Sequence, residues 1–259
     1  MPVREFVEAV HQRYGMRPVV PFEFPIEIGD IGMIANDGSW RPITTCRQRF
    51  YGIPGRVHKA RDARMIWEAC SGEDVTFTEY ARGEKSELVP KWVDAKPRAE
   101  VELAGERSFL FAARRITVRT ALETEDIIEK IRLAYHRRRQ RPEEGRWYRD
   151  YAFVFAVGDA QRFTAIVPKR APARLALMSR GPVGPPCDPA KVAGGVELGA
   201  AIGEWEGINK ENALGRFYRA YRLRSDVLAR WREEPIAKSN GTVVFERPAP
   251  SFEETFEEV

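Results

Sequence analysis

The sequence predicts an α+β fold, a twisted and mainly antiparallel β-sheet with helices packed on it. Short runs alternate apolar and polar residues with period 2, as in Val75-Thr76-Phe77-Thr78 and Glu100-Val101-Glu102-Leu103. Helical spacing of apolar residues is confined to three stretches, and strand-like runs follow one another across short polar turns, unlike the β-α alternation of a parallel sheet. The 259 residues suffice for one large domain or two small ones, and 43% hydrophobic and 11% aromatic content excludes wholesale disorder.

The elements read in order as follows. Val3, Phe6, Val7 and Val10 predict an amphipathic helix over 3–14, and the three prolines of 16–25 predict extended chain. Asn36-Asp37-Gly38-Ser39 between apolar stretches predicts a hairpin, because Asp-Gly accepts the positive φ of a tight turn. Residues 52–64 are basic and loop-like. Strands are expected around 75–78, 100–103 and 109–118, with a region rich in charge and proline over 82–98. A helix is expected from Thr120 or Thr124 to Arg139: Thr120-Ala121-Leu122-Glu123 has capping-box spacing, and Ile127, Ile131 and Ala134 form an apolar face. Strands at 147–157, 162–167 and 174–178 follow, the first two divided by Gly158-Asp159-Ala160. Residues 192–207 suit either a strand or a loose small-residue segment. The run 214–224 alternates Phe217, Tyr221 and Leu223 with arginines, and 226–233 suits a last helical turn or two.

Charge is distributed unevenly. Residues 248–259 hold Glu253, Glu254, Glu257 and Glu258 and no base, so a formal net charge of +4 leaves about +8 on the rest. A basic body with an acidic tail points to an anionic partner, or to a tail folded back on a basic face. Cys46, Cys70 and Cys187 form no Cys-x-x-Cys pair, which suggests a reducing compartment. The first residues lack an apolar signal core, and the longest apolar run, 151–157, is far short of the ~20 residues of a spanning helix. The expectation is a folded, soluble, intracellular protein.

Chemistry motifs are sparse. The Gly-Pro loop at 181–186 lacks the Lys-Ser or Lys-Thr of a phosphate loop, and no Gly-x-Ser-x-Gly elbow occurs. His11, His58 and His136 lie far apart among bases, and neither Cys nor His has zinc spacing. Glu100 and Glu102 share a strand face, a pattern more of solvated surface than of a catalytic carboxylate pair. No enzyme is specified. The basic stretch 130–149, with Tyr135, Trp147 and Tyr148 and with Tyr151 beyond it, allows an alternative reading as a non-catalytic nucleic-acid-binding protein, although no recognised nucleic-acid module matches the order of elements.

Four segments carry a resemblance: the opening Met1-Pro2-Val3-Arg4-Glu5-Phe6-Val7-Glu8-Ala9-Val10, the Trp40-Arg41-Pro42-Ile43 end of the hairpin, the run Trp147-Tyr148-Arg149-Asp150-Tyr151-Ala152-Phe153-Val154-Phe155-Ala156-Val157, and the closing Arg216-Phe217-Tyr218-Arg219-Ala220-Tyr221-Arg222-Leu223-Arg224. In this order they resemble the amino-terminal pore-forming domain of gasdermins, most of all the compact fungal (or bacterial) gasdermin-like cell-death proteins. The resemblance covers roughly residues 1–230 and rests on element order and short runs. Animal members add a large carboxy-terminal repressor domain, for which this chain has no room. Bacterial members often carry a lipid-modified cysteine beside the initiator Met, where this chain has Pro2.

The resemblance implies a pore-forming domain over 1–235 and a short acidic, autoinhibitory tail over 236–259. It implies a protein that is cytoplasmic when inactive and at the cell membrane when assembled, with no cofactor, no metal, no catalysis and no nucleic-acid partner. The implied partners are anionic phospholipids, further copies or a related gasdermin-like chain, and a protease or partner chain that frees the tail. Candidate lipid-binding bases are Arg4, His11, Arg13 and Arg17 on the first helix and its exit, with Arg137, Arg138, Arg139 and Arg141 after the long helix. Candidate inserting residues are Tyr151, Phe153, Phe155, Val157, Phe163 and Ile166, on strands 149–157 and 161–169 of one hairpin; a first hairpin is expected from 66–81 and 98–118. In the tail, Phe252 and Phe256 stand four apart as on one helical face and would dock in an apolar groove, with Glu253 and Glu254 beside the basic lipid-facing surface; the alternative is a frayed acidic terminus that aids solubility.

Overall fold

The computed structural model describes residues 2–44, 57–62, 66–70, 75–79, 99–105, 107–121, 128–129, 131–133, 135–136, 149–169, 172–179, 196–202, 205–233, 237–239, 242–244 and 251–259. The helix α1 (Pro2–Tyr14) buries Phe6, Val7 and Val10 completely and turns Arg4 and Glu8 outward, where they pair at 2.8 Å. Gly15, at φ 69°, ends it by donating its N–H to the His11 carbonyl at 2.7 Å, a left-handed stop that favours glycine. After β1 (Arg17–Pro18), β2 (Ile31–Ile34) and β3 (Trp40–Thr44) form the expected hairpin, with Gly38 at φ 81° and the Asp37 carboxylate accepting the Ser39 N–H.

The strands β4 (Val57–Arg61), β5 (Ile66–Cys70), β6 (Val75–Glu79), β7 (Ala99–Leu103), β8 (Leu110–Ala121) and β9 (Tyr151–Pro168) follow. Then come β10 (Ala173–Ser179), β11 (Val196–Ile202), β12 (Trp205–Leu223), α2 (Ser225–Glu233), the small hairpin β13 (Ala237–Ser239) and β14 (Thr242–Val244), α3 (Phe252–Thr255) and β15 (Phe256–Glu258). All pairings among the described residues are antiparallel. The α+β, mainly antiparallel expectation holds.

Several local expectations need correction. The basic stretch 52–64 contains β4, whose residues after Val57 are all exposed; an edge strand with a wetted surface shows no period-2 signature. The capping box at Thr120 does not start a helix, because Thr120 pairs with His58 and Ala156 inside β8; described helical residues begin at 128, with Ile128 and Ile131 buried. Ile127 and Ala134 lie outside the described residues.

The largest correction concerns Gly158-Asp159-Ala160, which is not a turn. β9 runs unbroken for 18 residues, so 149–157 and 161–169 are not the arms of a hairpin. Asp159 looks like a turn residue but is held from both sides. Its carboxylate accepts the Arg119 guanidinium at 2.7 and 3.1 Å and the Gly215 N–H at 2.8 Å. Gly158 leaves room for Phe217, whose Cβ lies 2.9 Å from where a side chain would begin.

The main sheet centres on β9, with β12 along one side and β2 and then β8 along the other; β8 in turn carries β4 and β5. Two hydrophobic clusters cover β9, one with Phe153 and Phe155 and one with Phe163 and Ala165. A second sheet has the order β11-β10-β7-β6. Register joins the two sheets. Cys70 pairs with Leu110, Leu110 with Ile166 and Pro168 with Trp205 at the end of the main sheet. Val75 pairs with Leu103, Leu103 with Ala173 and Arg174 with Ile202 at the start of the second. Four neighbouring strands of the main sheet therefore adjoin the four of the second along one line, with described non-strand residues at 104–105 and 107–109 between β7 and β8 and at 169 and 172 between β9 and β10; the second sheet pairs β6 with β7 and β10 with β11, side by side.

Candidate functional site

The acidic end of the chain does not hang free. Residues 256–258 add a strand to β12, in the register Tyr221–Glu258, Arg222–Glu257 and Leu223–Phe256. Two further backbone bonds extend the contact, from Val259 N–H to the Ala220 carbonyl at 3.1 Å and from Arg224 N–H to the Thr255 carbonyl at 3.0 Å. Segment 251–259 is thus docked on the main sheet, whatever lies between it and β14.

Phe252 and Phe256 do not share a helical face, because α3 ends at Thr255 and Phe256 is already in the strand. Ser251 starts α3 as a capping box, giving its N–H and hydroxyl to the Glu254 carboxylate at 2.9 and 3.0 Å. These bonds hold the Glu254 pKa below its ordinary value. Glu253 is the second residue of α3. Phe256 is 4% exposed, with its ring 5.4 Å from that of Phe155, which in turn meets Tyr221 edge-on at 5.3 Å.

The docked segment meets bases. Arg222 pairs with Glu257 at 2.5 Å, and Arg219 lies 4.0 Å from Glu258. Arg17 donates to the Val259 oxygen at 3.0 Å. Of these, only Arg17 is among the bases that the sequence points to; Arg219 and Arg222 belong to the arginine-rich run 214–224, whose pattern alone gives them no role. His11 completes the group. Burial, then the charge of Arg17, lowers its pKa, with Arg219 acting in the same direction and Glu258 opposing. Its Nδ1 is buried, with no hydrogen-bond partner among the described residues.

The other predicted bases fall elsewhere. Arg4 is exposed and paired with Glu8, and Arg13 sits 5.7 Å over the Tyr14 ring. Arg137, Arg138, Arg139 and Arg141 lie outside the described residues. The predicted inserting side chains Tyr151, Phe153, Phe155, Val157, Phe163 and Ile166 are all buried in β9, which is paired along both edges. Glu100 and Glu102 lie on β7 in the second sheet, where Glu102 meets Arg174 of β10 at 3.4 Å as a cross-strand pair. A cavity of about 240 Å³ is lined by Tyr14, Trp67, Phe155, Tyr221 and Arg219, and Arg219 donates to the Gly15 carbonyl at the end of α1 at 2.7 Å. Among the described residues no group of His, Cys, Asp and Glu side chains is arranged to hold a metal, and no helix is long and apolar enough to cross a membrane.

The second sheet has two unlike faces. Val75, Leu103 and Ala173 form one row by register and Val101 and Leu175 another, all five buried. Glu102 and Arg174 form an intervening polar row. The chain matches no known protein-family model, and no curated protein matches it.

Proposed function

We propose that this chain is a pore-forming protein with a gasdermin-like fold, which captures anionic membrane lipid, oligomerises and inserts β-hairpins to permeabilise the membrane and kill the cell. The observation that carries this reading is the line along which four adjoining strands of the main sheet give way to the second sheet, where two amphipathic hairpins lie side by side. A membrane-crossing strand needs about 9–11 residues, apolar toward lipid and polar toward the lumen. β6 and β7 have five residues each and β10 and β11 seven each. Straightening across the line of breaks would splice each to β5, β8, β9 or β12 and supply the missing length. Row by row, Val101, Leu103 and Leu175 would then meet lipid, and Glu102 and Arg174 the lumen. Tyr151, Phe153, Phe155, Val157, Phe163 and Ile166 would remain in the body from which the hairpins grow.

The docked carboxy-terminal segment is the restraint in this reading. It occupies the β12 edge that an incoming copy, or a related chain, would need for strand pairing, and its glutamates neutralise Arg219 and Arg222. Freed by a protease or by a partner, those bases together with Arg4, Arg13 and Arg17 would face anionic headgroups, each contributing roughly 1 kcal/mol near the surface, with His11 beside them. Dye release tests the reading. The full-length chain should leak phosphatidylserine vesicles slowly, and a Phe256→Ala chain at least tenfold faster, with little leakage from neutral vesicles. Absence of leakage from both chains would remove the pore reading, and salt-sensitive retention of a labelled duplex would favour nucleic acid instead.

A further inference from the structure

The amino-terminal helix touches the line of strand breaks directly. The break between β7 and β8 is a tight turn in which Ser108 gives its N–H to the Gly105 carbonyl at 3.1 Å and its hydroxyl accepts the Gly105 N–H at 2.9 Å. α1 grips this turn at two points. Arg107 pairs with Glu5 at 3.0 Å, and Phe109 packs edge-on against Phe6 with ring centroids 5.6 Å apart. Phe6 also meets Phe111 and Phe22, each at 5.8 Å, and is fully buried.

The other end of α1 is fixed to β5, which pairs with β8 beside this turn. The Tyr14 hydroxyl donates to the Glu68 carbonyl at 2.7 Å and accepts the Glu68 N–H at 2.6 Å, while the Tyr14 ring stacks on Trp67 at 4.6 Å and 7°. One helix therefore contacts two of the four main-sheet strands, β5 and β8, that adjoin the second sheet along this line.

We propose that α1 is a clamp on this hinge line, and that membrane capture of α1 is what releases the hairpins; the inference rests on the pore-forming reading above. Its physical basis is competition for one surface. An amphipathic helix lies on a bilayer by burying its apolar face at the headgroup boundary. The apolar face of α1 is Phe6, Val7 and Val10, all at 0% exposure in the sheet-bound state. That face can be buried in the protein or in the lipid but not in both. A bilayer that takes α1 withdraws Phe6 from Phe109 and Glu5 from Arg107, and the turn at 105–109 loses its support. The differential affinity needed to shift the equilibrium is thereby built into a single helix face.

Two measurements test the clamp, one of them without any membrane. In solution, Phe6→Ala should accelerate hydrogen exchange at 99–111 at least tenfold while exchange at 151–157 stays as it was. Equal acceleration at both places would mean that Phe6 is ordinary core, and the clamp would fall. For the second, Glu5→Cys and Arg107→Cys are joined by a reducible bis-maleimide in a full-length chain carrying Phe256→Ala and lacking the native cysteines. The cross-linked protein should leak anionic vesicles at least tenfold more slowly, and reductant should restore the rate. Unchanged leakage while cross-linked overturns the clamp and leaves the pore reading intact. No leakage even after reduction overturns the pore reading and its membrane trigger together.

Discussion

Removing the Phe256 ring tests how the carboxy-terminal segment is held. The side chain is buried, in contact with Phe155, and sits in a three-residue strand whose two ion pairs to β12 are solvent-exposed. Exposed pairs contribute about 0–1 kcal/mol each, and a net backbone hydrogen bond about 1 kcal/mol. Phe→Ala at a buried site costs about 3–5 kcal/mol. Phe256 is therefore the largest single contribution to docking. With 1.4 kcal/mol per factor of ten, a loss of about 3 kcal/mol raises the undocked population by more than 100-fold. Hydrogen exchange at the amides of 221–223 and 256–259 reads this population. The expected result is acceleration there by about two orders of magnitude, with exchange in β9 following only the change in global stability. If 256–259 stays as protected as before, or if β9 accelerates by the same factor, the segment is not a separately releasable strand and the reasoning fails.

Two other perturbations have determined signs. His11 has a lowered pKa in the folded chain, so as pH falls through its ordinary value near 6.5 the unfolded chain takes the proton first and stability drops. His11→Gln should therefore lose less melting temperature than the wild type between pH 7.5 and 5.5, and an identical loss in the two proteins would clear His11 of that role. Gly215 stands at φ 59°, and a side chain there would collide with the Ile26 backbone, so Gly215→Ala should cost about 2 kcal/mol or more in denaturant unfolding; a cost below about 0.5 kcal/mol would contradict the close approach of Ile26 to β12.

What could be read from sequence alone was what depends on near neighbours. The period of Phe6, Val7 and Val10 yields α1, and Asp37-Gly38 yields the β2–β3 hairpin, because these signals reside within one turn or one helical face. Gly158-Asp159-Ala160 misleads for a physical reason: the features that mark a turn, a small residue and a side-chain acceptor, are here used by Phe217, Arg119 and the Gly215 N–H, all distant in sequence. β4 escapes notice because its partner β8 shields one edge while its side chains remain wet.

The candidate site follows the same division. The acidity of the tail and the basicity of 216–224 are plain in composition. That Glu257 meets Arg222 and that Phe256 faces Leu223 depends on a pairing between residues more than thirty positions apart, set by where β12 leaves an edge uncovered. The contact of α1 with Arg107 and Phe109 is longer in range still. No local pattern encodes it.

The central claim is that the second-sheet hairpins, and not β9, enter the bilayer. Single cysteines at Arg174, Leu175, Ala176 and Leu177, each placed in a full-length chain with Cys46, Cys70 and Cys187 replaced, carry an environment-sensitive dye onto phosphatidylserine vesicles that contain a lipid-phase quencher. The account predicts alternation on membrane binding: dyes at 175 and 177 become accessible to the lipid-phase quencher, dyes at 174 and 176 do not, and a dye at Lys210 in β12 does not become quenchable. Four aqueous, unquenched positions on vesicles that are releasing their contents would contradict it.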